Sequence, residues 1–158
     1  MLHQRPIRPD DKLALANGLH RLSEQSTYRR FLSPKSSFSA AELRYLTEVD
    51  GHDHVAIVVE DPDDPRELIG VGRWVRLTED PSSAEIAITV ADCWQRRGIG
   101  SMLARALADE ARAQGIRRFT ATVAGENKPA LRLLSKASDR LRLTHAGGID
   151  AAVVDLAA

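Results

Sequence analysis

Ala84-Glu85-Ile86-Ala87-Ile88-Thr89-Val90, followed by Gln95-Arg96-Arg97-Gly98-Ile99-Gly100, is the stretch on which the fold of this chain turns. The first segment is apolar and rich in β-branched residues, the pattern of a buried strand. Beyond the hexad, Met102, Leu103, Ala106, Leu107 and Ala111 recur at helical spacing through Ser101 to Gln114, and Gly115 supplies a stop. Glycines in a strand-to-helix turn let backbone N–H groups approach a ligand, and a helix's first turn adds unpaired donors and a partial positive charge. The sequence therefore offers a pyrophosphate cradle. Gly98 and Gly100 would equally serve a plain tight connection. Arg96 and Arg97 favour the cradle, because guanidinium groups pair with phosphate oxygens.

The spacing excludes two common phosphate loops. A dinucleotide fingerprint needs G-x-G-x-x-G, and a P-loop ends in Gly-Lys-Ser/Thr. What stands here is Gln-x-x-Gly-x-Gly, preceded by a buried strand and followed at Asn127 by an Asn opening the next helix. That combination resembles the acetyl-CoA signature of the GCN5-related N-acetyltransferases, the GNAT family, and the likeness spans nearly the whole chain. It implies acetyl-CoA as co-substrate. Backbone donors of Arg97, Gly98, Ile99, Gly100, Ser101 and Met102 would hold the pyrophosphate, with Gln95, Arg96 and Asn127 beside it. The strands flanking the loop would splay at a bulge, leaving main-chain groups of Ile88 and Val90 for the pantetheine arm.

At 158 residues the chain is one domain's worth, residues 1–158. Its 22 basic and 22 acidic residues cancel, so no global field favours nucleic acid or an anionic membrane. Apolar runs fall far short of the roughly 20 residues that span a bilayer, and the polar N-terminus lacks an apolar signal core. A cytoplasmic protein, monomer or homodimer, is expected. The one cysteine, Cys93, excludes an internal disulfide and a Cys-rich metal site. Near the cradle it invites a nucleophile reading, but the family passes acetyl directly to the amine, so Cys93 reads as a bystander. His52 and His54 lack a third ligand, and no metal is expected.

Along the chain, Gln4 to Arg8 reads as an edge strand ended by Pro9. Asp10 caps a helix from Asp11 to Leu22 whose apolar face is Leu13, Leu15, Leu19 and Leu22. Ser23 to Phe38 reads as a loop. Ser39 caps a helix over Ala40 to Glu48, with Glu42 completing a capping box. Strands follow at His54 to Glu60, Glu67 to Leu77 and Ala84 to Val90. The first two flank the solvated acidic turn Asp61-Pro62-Asp63-Asp64-Pro65. After the long helix come a strand at Arg117 to Val123, a helix from Asn127 to about Lys136, and a hairpin of Leu141 to His145 and Ile149 to Leu156 around Gly147-Gly148. The order β-α-α-β-β-β-α-β-α-β-β fits an α/β (α+β) fold. As a GNAT fold it would have a mixed, mostly antiparallel sheet of about seven strands with helices on both faces.

Moving an acetyl group to an amine needs a neutral nucleophile, a polarised carbonyl and a proton for the leaving thiolate. Lysine amines are almost wholly protonated at neutral pH, their reference pKa being about 10.4. Glu85 interrupts an apolar strand, where a carboxylate is costly unless solvated, paired or functional. The resemblance makes it the general base; the structural alternative is a rim residue paired with Arg73 or Arg76. Where the family places an acidic Tyr stands Leu134, with Ser135 adjacent as a group able to hold a water or bond the sulfur. Ser138-Asp139 replaces the Gly-Phe pair frequent in the family. Ser23-Glu24-Gln25-Ser26-Thr27-Tyr28-Arg29-Arg30-Phe31 is similar to a segment of the bacterial Pat-type branch, which includes protein lysine acetyltransferases. It implies an acceptor pocket of Tyr28, Arg30 and Phe31, residues that would equally anchor a loop to the core. The function expected is acetyl transfer to a primary amine, on a protein lysine or a small molecule. The alternative is a CoA-binding module with weak or no catalysis.

Overall fold

In the computed structural model, which describes residues 2–31, 35, 37–124, 127–137 and 141–156, the long apolar strand is buried on both sides. This strand, β2 (His54–Asp61), sends Val55, Ile57 and Val59 into one core and Ala56 and Val58 into another. Such two-sided burial explains its unbroken hydrophobic run. Around it lies a seven-stranded sheet with β1 (His3–Pro6) at one edge, then β2, β3 (Asp64–Arg76), β4 (Ser83–Val90), β5 (Arg118–Ala124), β7 (Ile149–Asp155) and β6 (Leu141–Ala146). Every pairing is antiparallel except β4 with β5. The mixed sheet is the expected one.

Helix α4 (Ile99–Ala113) covers one face of β2, β3 and β4. Its Ile99, Leu103, Leu107 and Ala111 are fully buried. Helix α5 (Lys128–Ala137) leans on α4. The opposite face carries α1 (Lys12–His20), α2 (Glu24–Phe31) and α3 (Ala40–Thr47). Among the described residues, no helix is long and apolar enough to cross a membrane.

Several local expectations change. The first helix begins later than the sequence suggests: Pro9–Asp11 is a 3-10 turn, and Asp11 rather than Asp10 takes the capping position. The Asp11 carboxylate accepts from the Arg8 N–H at 2.7 Å and from both Arg5 terminal nitrogens at 2.8 Å, which fixes the entry to α1. The buried face of α1 is Ala14, Leu15 and Leu19, whereas Leu13 is 72% exposed. Part of the expected loop after α1 is helical, namely α2. Ser23 Oγ accepts from the Ser26 N–H at 3.1 Å, and Ser23 N–H reaches Asp92 at 3.3 Å, so a distant loop anchors the start of this helix. Pro34 lies outside the described residues. The capping box of α3 forms as expected, Ser39 and Glu42 bonding each other's N–H. The acidic turn contracts to Pro62 and Asp63, because Asp61 and Asp64 pair across the ladder.

Candidate active site

The site begins where two strands part. Between β4 and β5 only Ser83, Ala84 and Glu85 pair, with Arg118, Phe119 and Thr120. Beyond Glu85 the strands diverge. The β3–β4 ladder runs from Ala84 to Val90 without a register shift, so the fork opens without the expected bulge. Ala91 N–H donates to Ile69 O at 2.8 Å. Alternation along the strand therefore turns the main-chain groups of Ile88 and Val90 away from β3 and toward the gap. The Val90 carbonyl is already engaged, accepting from Gln95 Nε2 at 3.1 Å.

A cavity of about 490 Å³ fills the fork. Ile86 to Val90 line one side, Ala121 to Val123 the other, and Gly98 to Ser101 close one end. Gly98 is the capping residue of α4 with φ of +84°, a conformation natural only to glycine. Met102 N–H closes the first helical turn on Gly98 O at 3.0 Å. Met102 is thus spent as a donor and packs against the core. The donors left over in the first turn are those of Gly98, Ile99, Gly100 and Ser101. A Cβ on Gly100 would meet only Leu133, at 3.5 Å, so that space belongs to the cavity rather than to packing.

The side chains of the hexad divide in role. Gln95 ties the end of β4 to α2 through Val90 O and, at 3.3 Å, Ser26 Oγ. Arg96 lines the cavity with φ of +63°, a strained value for a residue with a side chain. Arg97 does not line it; its guanidinium stacks on Trp94 at 4.9 Å, and Trp94 does. Asn127 lines the cavity and caps α5, its Oδ1 accepting from Ala130 N–H at 3.3 Å.

Glu85 stands at the fork's root, the last β4 residue paired to β5, with an exposed side chain outside the cavity wall. The rim ion pairs considered for it do not form. Arg73 bonds Leu46 O and His54 Nε2, and Arg76 bonds Asp53 and three carbonyls. The cation near Glu85 is Arg30. Burial lowers the Arg30 pKa, and the Glu85 charge opposes that shift.

Of the expected acceptor residues, Arg30 lines the cavity, joined by Ser26 and Arg29. Phe31 lines a second, smaller cavity, and Tyr28, 40% exposed, lines neither. Leu134 faces the main cavity where a Tyr was sought. The side chain of Ser135, and residues Ser138 and Asp139, lie outside the described residues. Cys93 is exposed and away from the cavity wall. Among the described residues no group of three or more His, Cys, Asp and Glu could hold a metal.

Trp94, Thr89 and Arg29 went unread in the sequence. Trp94, just before the hexad, was the legible one, since a large aromatic beside a glycine turn needs a surface to cover.

Known proteins are similar to this chain in sequence and fold. The profile of the Acetyltransferase (GNAT) family matches residues 19–138. Acetyltransferase Pat of Mycolicibacterium smegmatis is 38% identical over 133 residues, 84% of this chain and 39% of that protein's length. Acetyltransferase PA5475 of Pseudomonas aeruginosa is 31% identical over 126 residues, 78% of this chain and 67% of that protein. The crystal structure of the GNAT domain of S. lividans PAT superposes with a TM-score of 0.87 at 29% identity, covering 98% of this chain and 90% of that one. With the forked β4–β5 pair, the glycine-capped α4 and a family match over three quarters of its residues, this chain belongs to the GNAT acetyltransferase family.

Proposed function

We propose that the chain is an acetyl-CoA-dependent N-acetyltransferase that moves acetyl from the CoA thioester to a primary amine. The observation that carries the reading is the cavity in the β4–β5 fork, closed by the free first-turn donors of α4. Those donors, from Gly98 to Ser101, suit a pyrophosphate, and Arg96 adds a charge at the cavity wall. The N–H and C=O of Ile88 face the gap and suit the amides of a pantetheine arm. Asn127 completes the far wall.

The acetyl thioester supplies an activated carbonyl carbon. Attack by the neutral amine forms the C–N bond and breaks the C–S bond. The amine gives up one proton and the departing thiolate takes one, so the step balances. Glu85 is the base, directly or through a water, and its exposure keeps it in contact with solvent that carries the proton away. Solvent returns a proton to the sulfur, because Leu134 has none to give. Glu85→Gln is expected to lower kcat by about a hundredfold while leaving thermal stabilisation by CoA in place. An unchanged kcat would remove Glu85 from the mechanism.

Leu134 at the cavity wall favours a second reading, a CoA-binding module with weak or no turnover. Free thiol release from acetyl-CoA in the presence of amines separates the two.

A further inference from the structure

The second cavity, of about 80 Å³, lies on the opposite face of the sheet, between α1, α2 and the β3–β4 ladder. On that scale one water needs roughly 10–15 Å³, so the space takes about six non-hydrogen atoms. Its wall is mostly aliphatic and aromatic, yet three arginines reach it. Arg21 is paired with Glu67 at 2.8 Å. Arg30 and Arg73 have no carboxylate in ion-pair contact among the described residues.

Arg73 is only 5% exposed. Its Nη1 donates to Leu46 O at 3.0 Å and to His54 Nε2 at 2.9 Å, both neutral acceptors, while Nε and Nη2 have no partner among the described residues. Arg30 lies over the Phe31 ring at 4.7 Å and makes no hydrogen bond among the described residues. The two cations feel each other. Burial first, and then the Arg30 charge, lower the Arg73 pKa to about 10. Two like charges in an apolar wall, Arg73 buried and Arg30 half-buried, are costly unless an anion joins them. Glu85 acts on Arg30 through space, without a bond, so a positive excess remains. Arg30 and Thr89 line both cavities, so an anion held here would stand beside the donor cavity.

We propose that this second cavity receives a carboxylate of the acceptor, held between Arg30 and Arg73, and that the acceptor is a small amine bearing that carboxylate on a short carbon stem, as an amino acid does. The acceptor role rests on the acetyl-transfer reading above; the carboxylate site itself rests on the geometry. A lysine side chain on a protein surface brings no carboxylate to this place.

The test compares N-acetylglycine and N-acetyl-leucine with their primary amides as ligands, by thermal stabilisation of the wild-type chain and of Arg30→Gln. The acids should bind at least tenfold more tightly than the amides, and Arg30→Gln should erase the difference. Equal binding of acid and amide to the wild type would overturn the proposal, and so would a preference that survives in Arg30→Gln. If the variant does not fold, the wild-type comparison alone decides. A parallel assay of thiol release uses amino acids beside their amides, with acetyl-CoA or succinyl-CoA. Acid-selective binding without release from any amine would remove the transfer reading and keep the carboxylate site. A preference for succinyl-CoA without acid selectivity among acceptors would assign the carboxylate to the acyl group, and the proposal would fall.

Discussion

His54 opens β2 and its Nε2 meets Arg73 Nη1 at 2.9 Å, with the Tyr45 ring 4.9 Å away. Burial, and then the charge of Arg73, lower its pKa from 6.5 to about 4, with Asp50 opposing. Between those two values the unfolded chain carries a proton on this ring that the folded chain does not. Stability is therefore complete above about pH 6.5 and falls as pH drops toward 4, by an amount on the order of 2 kcal/mol from this residue. His54→Gln keeps an acceptor for Arg73 and removes the titration. Urea midpoints across this window should fall less steeply for the variant, and equal slopes would show that the ring is not buried neutral. The residues at this scale were unevenly legible. Glu85 stood out as a carboxylate in an apolar strand. Arg73 entered only, with Arg76, as a candidate ion-pair partner of Glu85. Its true acceptors come from α3 and β2, and no spacing along one strand reveals a neighbour supplied by two other elements.

The long elements could be read because each carries its own pattern. Helix α4 has a continuous apolar stripe, and β2 has an unbroken buried run. Helix α2 lacks such a stripe: within Glu24-Gln25-Ser26-Thr27-Tyr28-Arg29-Arg30-Phe31 only Thr27 is fully buried. It is held by Ser23, Asp92 and Gln95, two of them far away in sequence. Only the Ser23 cap, the acidic first turn and the basic last turn were available as local signals. The α4–β3 contact makes a prediction that belongs to elements rather than residues. A Cβ on Gly72 would lie 2.7 Å from Leu107 Cδ1 and 3.4 Å from Leu103 Cβ, and both leucines are fully buried. Gly72→Ala should cost about 1–3 kcal/mol of unfolding free energy, read from denaturant midpoints. A midpoint within error of wild type would mean that α4 sits farther from the sheet.

At the scale of the whole molecule, the fork in the sheet organises both cavities. The β4–β5 pair opens beyond Glu85, α4 supplies donors on one face, and α2 brings Arg30 to the wall shared with the other. The donor half was legible, because a glycine hexad between strand and helix is a local device. The second cavity was legible only in part: the Ser23–Phe31 segment pointed to Arg30 and Phe31 through a resemblance, whereas Arg73 joins them through the way α1, α2 and β3 meet, which no short motif encodes. The central claim is that the first turn of α4 holds the pyrophosphate of CoA. Calorimetric titration of the wild-type chain with CoA, and separately with pantetheine, which lacks the pyrophosphate, tests it most directly. CoA should bind at least tenfold more tightly than pantetheine; equal affinities, or no binding of CoA, would contradict it.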